Sequence, residues 1–188
     1  MTKTLTKNKA IKKDIRSDAI ANKNMLLLAA QKAFSEIGPD AQMSDIAKSA
    51  GVSRTTLYRH FPDKQSLITD LLEENMRKMN LFASELEPTG EAFFELISYI
   101  AHIQVEVNLL TKYLPENIML ENTNRMIEIF KIPVEQAKKA NILNKDFDLT
   151  QDMPLLFHMI GGILIRVNPS SRKTQVERAL YILINGLK

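Results

Sequence analysis

The sequence contains no cysteine and no tryptophan, and glycine and proline are scarce, at 6 and 7 of 188 residues. The lack of cysteine excludes disulfides and thiolate metal ligands and suits a reducing compartment, so we expect a cytoplasmic protein. The densest apolar segment, Met159 to Ile165, is far shorter than the roughly 20 residues that span a bilayer. The N-terminus is polar and lysine-rich, unlike a secretory signal. We therefore expect no membrane partner.

The net charge of +3 is distributed unevenly along the chain. Residues 1–64 carry 12 Lys and Arg against 6 Asp and Glu, whereas residues 65–188 carry 13 against 16. Because nonspecific attraction to DNA arises from phosphate neutralisation, the basic N-terminal part favours a nucleic-acid partner. Its first 20 residues are lysine-rich with few large apolar groups. They form either a solvated tail or a basic arm that adds phosphate or minor-groove contacts.

The segment from Ser44 to Lys64 has the pattern of two short helices joined by a tight turn. Ser44 to Ala50 is the first predicted helix, and Gly51 can take the positive φ that closes it. Ser53 is placed to cap the second, Arg54 to His60, by accepting from an amide of its first turn. Two helices so joined form a helix-turn-helix, which lays its second helix in the DNA major groove.

Apolar residues at three- and four-residue spacing predict helices in the rest of the chain. One runs from about Asn22 to Ile37, and a long one begins after a capping Asp63 and ends near Leu86. The later predicted helices are Glu91 to Lys112, Glu116 to Phe130, Pro133 to about Leu143, one that carries Pro154 in its first turn and reaches Val167, and Arg172 to Leu187. No alternating β-branched run predicts a sheet, so the expected fold class is all-α.

The N-terminal pattern resembles the DNA-binding domain of TetR-type transcriptional regulators. The match covers roughly residues 22–72 and includes Leu26, Leu27, Ala29, Ala30, Phe34, Gly38, Ile46, Ala47, the run from Ala50 to Ser53, the run from Leu57 to Phe61, and Lys64. The sequence predicts a basic N-terminal arm at 1–20, and the resemblance implies a three-helix helix-turn-helix DNA-binding domain at 21–66 and a helical effector-binding and dimerisation domain at 67–188. Family members often cap the second helix with threonine near Gln42-Met43, whereas here Ser44 is the better capping candidate.

Base readout needs donors and acceptors on the exposed face of the groove-bound helix. Arg54, Thr55 and Thr56 are the specificity candidates, and Arg54 contacts either a guanine or a phosphate. The resemblance implies that Tyr58 contacts backbone phosphate. The remaining predicted DNA contacts, which set position rather than sequence, are Ser44, Ser53, Arg59, His60 and Lys64. His60 is equally compatible with a role in capping or packing, and Lys64 would join helix-end amides in binding a phosphate.

The last two predicted helices are apolar on more than one face, which predicts partners on both sides. A four-helix bundle formed by two copies would satisfy them, and the resemblance implies the same homodimer. The predicted interface consists of Leu156, Ile160, Ile163, Leu164, Val176, Leu180, Leu183 and Leu187.

The stretch from residue 76 to residue 157 is rich in methionine and phenylalanine. This composition suits either an apolar effector site or an ordinary helical core. The predicted pocket residues are Met79, Phe82, Phe94, His102, Tyr113, Met126, Phe130 and Phe157.

The sequence therefore predicts a sequence-specific DNA-binding transcriptional regulator. We expect a repressor that binds a palindromic operator as a homodimer and is released by a small, largely apolar effector. The alternative is a nucleoid-associated DNA-binding protein of the same fold that senses no small molecule. We expect no enzyme, metal or cofactor, because the three histidines are far apart in sequence and no nucleophile elbow, phosphate-binding glycine loop or carboxylate pair is present.

Overall fold

The computed structural model describes residues 20–38, 40–104, 110, 113–166 and 172–187. Within these ranges the regular structure is entirely helical, which confirms the all-α prediction. The helices are α1 (residues 20–36), α2 (Met43–Ser49), α3 (Arg54–His60), α4 (Lys64–Glu85), α5 (Ala92–Gln104), α6 (Glu116–Lys139), α7 (Leu149–Arg166) and α8 (Arg172–Leu187). The predicted arm at 1–20 and the predicted continuation of α5 to Lys112 lie largely outside the described residues.

The chain divides into two compact units, one ending at Leu67 and the other beginning at Ile68. The first unit contains α1, α2, α3 and the first turn of α4. Its core side chains include Leu26 and Phe34 of α1, Ile46 of α2 and Leu57 of α3, all of them exposed by 1 % or less. Burying one apolar face of each short helix is what stabilises them, since isolated helices of seven residues do not persist in water.

The second unit is built around α5, which contacts α6, α7 and α8. Phe93 of α5 lies fully buried and meets three other rings edge-on, at 5.0 Å from Phe94, 5.9 Å from Phe130 and 5.6 Å from Phe147. Such edge-to-face pairs add about 0.5–1.5 kcal/mol each beyond the burial of their area. An aromatic cluster therefore anchors the middle of this unit.

The predicted break at Pro133 is wrong. Helix α6 runs without interruption to Lys139, with Pro133 inside it and buried. Proline removes one backbone hydrogen bond from a helix interior. Met126, Phe130 and Val134 nevertheless follow one another at four-residue spacing as one buried stripe across the proline. Burial of this stripe offsets the missing bond and keeps the helix continuous.

The predicted start of α7 is also wrong, because the helix begins at Leu149 and Pro154 falls in its second turn. Asp148 caps the helix instead, its Oδ1 accepting from the amides of Thr150 at 2.8 Å and Gln151 at 3.0 Å. Its own amide donates to Asp152 Oδ2 at 2.6 Å, which makes the cap reciprocal. The Thr150 hydroxyl and then the two amides lower the pKa of Asp148.

A bidentate ion pair joins α4 to α6 in the second unit. The guanidinium of Arg125 donates to both carboxylate oxygens of Glu73, at 2.5 and 3.0 Å. This hydrogen bonding lowers the pKa of Glu73 and raises that of Arg125. Both side chains are partly exposed, so the pair fixes geometry more than it stabilises the fold.

No described helix combines the length and apolarity of a transmembrane segment.

Candidate functional site

The turn between α2 and α3 has the geometry of a Schellman motif. The amide of Val52 donates to the carbonyl of Ala47 at 3.0 Å, and the amide of Gly51 donates to the carbonyl of Lys48 at 3.1 Å. Gly51 has φ +68°, in the left-handed region that favours glycine, and a Cβ there would meet no atom within 4 Å. The backbone conformation, rather than crowding, therefore accounts for glycine at this corner.

Ser53 caps α3, as the sequence predicts. The amide of Thr56 donates to Ser53 Oγ at 3.1 Å, and the two hydroxyl oxygens lie 3.0 Å apart. Ser53 itself is extended, at φ −70° and ψ 154°, the usual conformation of a residue before a helix. The cap fixes where α3 begins and hence which of its residues face outward.

Helix α3 is buried on one side and polar on the other. Leu57 has no exposed surface, and Phe61 directly after the helix is 1 % exposed. The exposed side carries Arg54, Thr55, Tyr58 and Arg59, whose spacing places them on one face of the helix. Tyr58 is 49 % exposed, so its phenol is accessible from solvent. The helix thus presents two guanidinium groups, a hydroxyl and a phenol to solvent, which are groups that bind phosphates and base edges.

Ser44 does not cap α2, so that prediction is wrong. The helix begins at Met43, and Gln42 takes the cap position with φ −88° and ψ 146°. The Gln42 carbonyl accepts from the amides of Asp45 at 3.0 Å and Ile46 at 3.2 Å, while its side chain donates to the carbonyl of Asp40. Ser44 is therefore a half-buried residue of the first turn.

His60 ends α3 as a packing residue more than as an outward-facing one. It is half-buried, and its Nε2 is buried with no hydrogen-bond partner among the described residues. Burial of the ring, followed by the charges of Arg59 and Lys23, lowers its pKa. His60 is therefore predominantly neutral at pH 7 and is less suited to a phosphate than its neighbour Arg59.

Lys64 is engaged within the first unit. Its ammonium donates to the carbonyl of Ala41 at 2.9 Å and lies 5.5 Å from the centre of the Phe34 ring. The α4 terminus is already capped, because the amide of Ser66 donates to Asp63 Oδ1 at 2.7 Å. Carboxylate capping satisfies an amide that a phosphate would otherwise use. Lys64 thus ties the start of α4 to the segment before α2.

The predicted pocket residues separate into two groups. Phe82, Phe94 and His102 line an open groove of about 420 Å³ in the second unit, together with Glu95, Ser98 and Tyr99. Met79, Met126 and Phe130 are buried core residues, Phe157 packs against that core, and Tyr113 is half-buried without lining the groove. The three groove residues missing from the prediction carry a visible signal, since positions 95, 98, 99 and 102 form one polar stripe on an otherwise apolar helix.

Most of the residues predicted to form the dimer interface are packed in the core of the protomer itself. Leu156, Ile160, Val176 and Leu180 are buried in the core of the second unit, and Leu183 packs against it. The side chains of Ile163, Leu164 and Leu187 lie outside the described residues. Neighbouring apolar side chains are exposed instead, and they are Leu155 (60 %), Met159 (51 %), Tyr181 (61 %) and Ile182 (58 %).

Comparisons with known proteins agree with this geometry. A family model described as bacterial regulatory proteins, tetR family, matches residues 26–71. The chain is 25 % identical to the HTH-type transcriptional regulator UidR of Escherichia coli K12, over 93 % of this chain and 96 % of that protein. This chain is also 36 % identical to the HTH-type transcriptional regulator SAB2452 of Staphylococcus aureus, over 39 % of this chain and 38 % of that protein.

A solved structure shows the same fold. The TetR transcription regulatory protein from Mycobacterium vanbaalenii superimposes with a TM-score of 0.63 at 24 % identity, covering 93 % of this chain and 99 % of that one. The described part of this chain contains no group of three or more His, Cys, Asp or Glu side chains placed to hold a metal ion.

Proposed function

This chain belongs to the tetR family of bacterial regulatory proteins and is a DNA-binding transcriptional regulator, and we propose that it is a repressor that binds a palindromic operator as a homodimer. The observation that carries the proposal is the exposed polar face of α3. Arg54 and Thr55 stand at its N-terminal end, where a groove-bound helix approaches base edges. Tyr58 and Arg59 stand one turn later, where we propose that they contact phosphates.

The buried side of α3 supports this assignment. Leu57 and Phe61 are enclosed by the first unit, so the helix is held on a rigid support instead of a loop. Recognition groups on a rigid element bind with less loss of side-chain and backbone freedom. We propose Thr56 as a further contact to a base edge or a phosphate, and Ser53 and Ser44 as further contacts to the DNA phosphates. Lys64 and His60 act mainly by packing and by holding neighbouring segments.

A random pool of duplex DNA tests the proposal directly. The full-length protein is expected to select a palindrome whose half-sites are one helical turn, about 10 base pairs, or a multiple of it apart. Its affinity should exceed nonspecific binding by about 10³-fold or more at physiological salt. Recovery of a broad, sequence-tolerant and strongly salt-sensitive pool would instead support a nucleoid-associated protein.

The exposed apolar side chains of α7 and α8 support the proposed homodimer. Helices α7 and α8 are in contact, and Leu155 and Met159 are four residues apart on α7. Tyr181 and Ile182 give α8 a second exposed apolar area. A second copy of the chain related by two-fold symmetry would cover these side chains with the same surface of its own. The buried residues Leu156 and Ile160 then support this interface from behind.

Replacing Met159 and Ile182 together with glutamate is expected to convert the dimer to a monomer. Four carboxylates would meet across a symmetric interface, and burying unpaired charge is strongly unfavourable. Sedimentation velocity at micromolar concentration measures the change. Ile132→Glu is the matched control, because Ile132 is 67 % exposed on α6 and should leave the mass unchanged. A dimer that survives the double substitution places the interface elsewhere.

The groove of the second unit supports an effector-controlled mechanism. We propose that a small, largely apolar molecule binds there and favours a dimer whose α3 helices no longer fit the operator. Allosteric coupling of this kind is typically about 1–3 kcal/mol, enough for about 5- to 150-fold release. The walls of the groove come from α4 and α5, and α4 also carries the end of the first unit.

A further inference from the structure

The groove contains an unusual combination of aromatic walls and hydrogen-bond acceptors. Phe82 of α4 and Tyr99 of α5 lie nearly parallel, with ring centres 3.9 Å apart and an angle of 9° between their planes. Phe94 adds a third ring, and Glu95 an exposed carboxylate. None of the described residues that line the groove is a lysine or an arginine. Among its described lining residues the groove therefore has a negative side chain and no positive one.

The hydrogen bond of His102 determines which groups the groove offers. Its Nδ1 lies 2.6 Å from the carbonyl oxygen of Ser98. A carbonyl oxygen only accepts, so Nδ1 carries the proton of this bond, and in the neutral form of the ring Nε2 is then the acceptor. The Glu95 carboxylate is likewise an acceptor. The Glu95 carboxylate and the neutral form of His102 thus each offer an acceptor, and the Ser98 hydroxyl can accept as well.

The charge and the rings together select one class of ligand. A cation is attracted by the Glu95 carboxylate and by an exposed part of an aromatic ring, and the latter attraction is about 0.5–2 kcal/mol. An anion would meet the carboxylate without a compensating base. A neutral apolar molecule would gain no attraction from the exposed carboxylate. The groove is open, with a volume of about 420 Å³.

We infer that this groove binds organic cations with an aromatic or apolar body. The inference rests on the proposed effector role and specifies the chemistry of the effector. The partly exposed rings of Phe82 and Tyr99 hold the body of the ligand, and the buried ring of Phe94 supports them. Glu95 pairs with its positive centre, and His102 Nε2 accepts from any N–H that it carries.

Two ions of the same shape and opposite charge provide the test. Tetraphenylphosphonium and tetraphenylborate are titrated by calorimetry into the full-length protein without DNA. The cation is expected to bind and the anion to bind at least about tenfold more weakly, since close like charges are disfavoured. Glu95→Gln should weaken binding of the cation by roughly threefold to tenfold and leave that of the anion equal or stronger. Glu135→Gln, on an exposed carboxylate of α6 outside the groove, should change neither.

Equal affinity for the two ions, or a cation affinity that Glu95→Gln leaves intact, overturns the inference. Tyr99→Leu is a second variant, and it should weaken binding of the cation because it removes one of the two stacked rings. Release of a selected operator is measured separately. Cation binding without release would refute the proposed effector role but retain the site, whereas release by other molecules with no cation binding would refute the site alone.

Discussion

Replacing Arg54 and Tyr58 together with alanine is expected to weaken operator binding by about 100-fold or more. A guanidinium that contacts a base edge contributes about 1–3 kcal/mol, and a phosphate contact contributes a similar or smaller amount. Both side chains are exposed on the polar face of α3, so their removal leaves the buried face of that helix intact. Fluorescence anisotropy with the selected operator measures the loss. Lys32→Ala, which removes a charge from α1, is the control and should change affinity little.

The single variants separate the two interpretations of Arg54. If Arg54 reads a guanine, Arg54→Ala should relax the sequence preference at one position of each half-site. If it contacts a phosphate, affinity should fall uniformly across sequences. The slope of log affinity against log salt concentration should also become shallower by about 1 for each half-site. Tyr58→Ala should weaken binding to all sequences alike. Unchanged affinity in both single variants would remove α3 from the interface.

The first unit was largely predictable because its signals are local. Gly51 and Ser53 each determine the backbone within a few residues, and the structure confirms the turn and the cap that they indicate. The contact of Lys64 was not predictable, because it depends on a carbonyl 23 residues away at Ala41. A lysine beside a recognition helix suits a phosphate as well as an internal acceptor. Only the folded arrangement distinguishes the two roles.

The second unit shows the opposite balance. Spacing alone located most of its helices, but an apolar residue on a helix that is apolar on several faces cannot be assigned to core or interface from the sequence. Leu156 is buried and Leu155 is exposed, although the two are adjacent and chemically identical. The helix break predicted at Pro133 was wrong for a related reason. The burial of Phe130 and Val134 outweighs the backbone hydrogen bond lost at Pro133. Long-range packing decided each of these cases.

The same packing gives the second large expectation, in which Phe130→Ala destabilises the second unit by about 3–5 kcal/mol. Phe130 has no exposed surface, and its ring lies 5.9 Å from that of Phe93 and 6.0 Å from that of Phe157. Truncation would remove its buried area, break two aromatic contacts and leave a cavity that the rigid neighbours α5 and α7 cannot fill. Urea denaturation monitored by circular dichroism at fixed protein concentration measures the loss, since dimerisation makes stability depend on concentration.

Ile132→Ala tests whether burial causes that loss. Ile132 lies two residues further along α6 and is 67 % exposed, so its truncation should change the free energy of unfolding by less than about 0.5 kcal/mol. Hydrogen exchange should show faster opening of α5, α6 and α7 in Phe130→Ala and normal protection of α1 to α3, because the two units have separate cores. Comparable losses for the two variants would mean that α6 stabilises the unit through its helix propensity. Burial of Phe130 would then not be the cause of the loss.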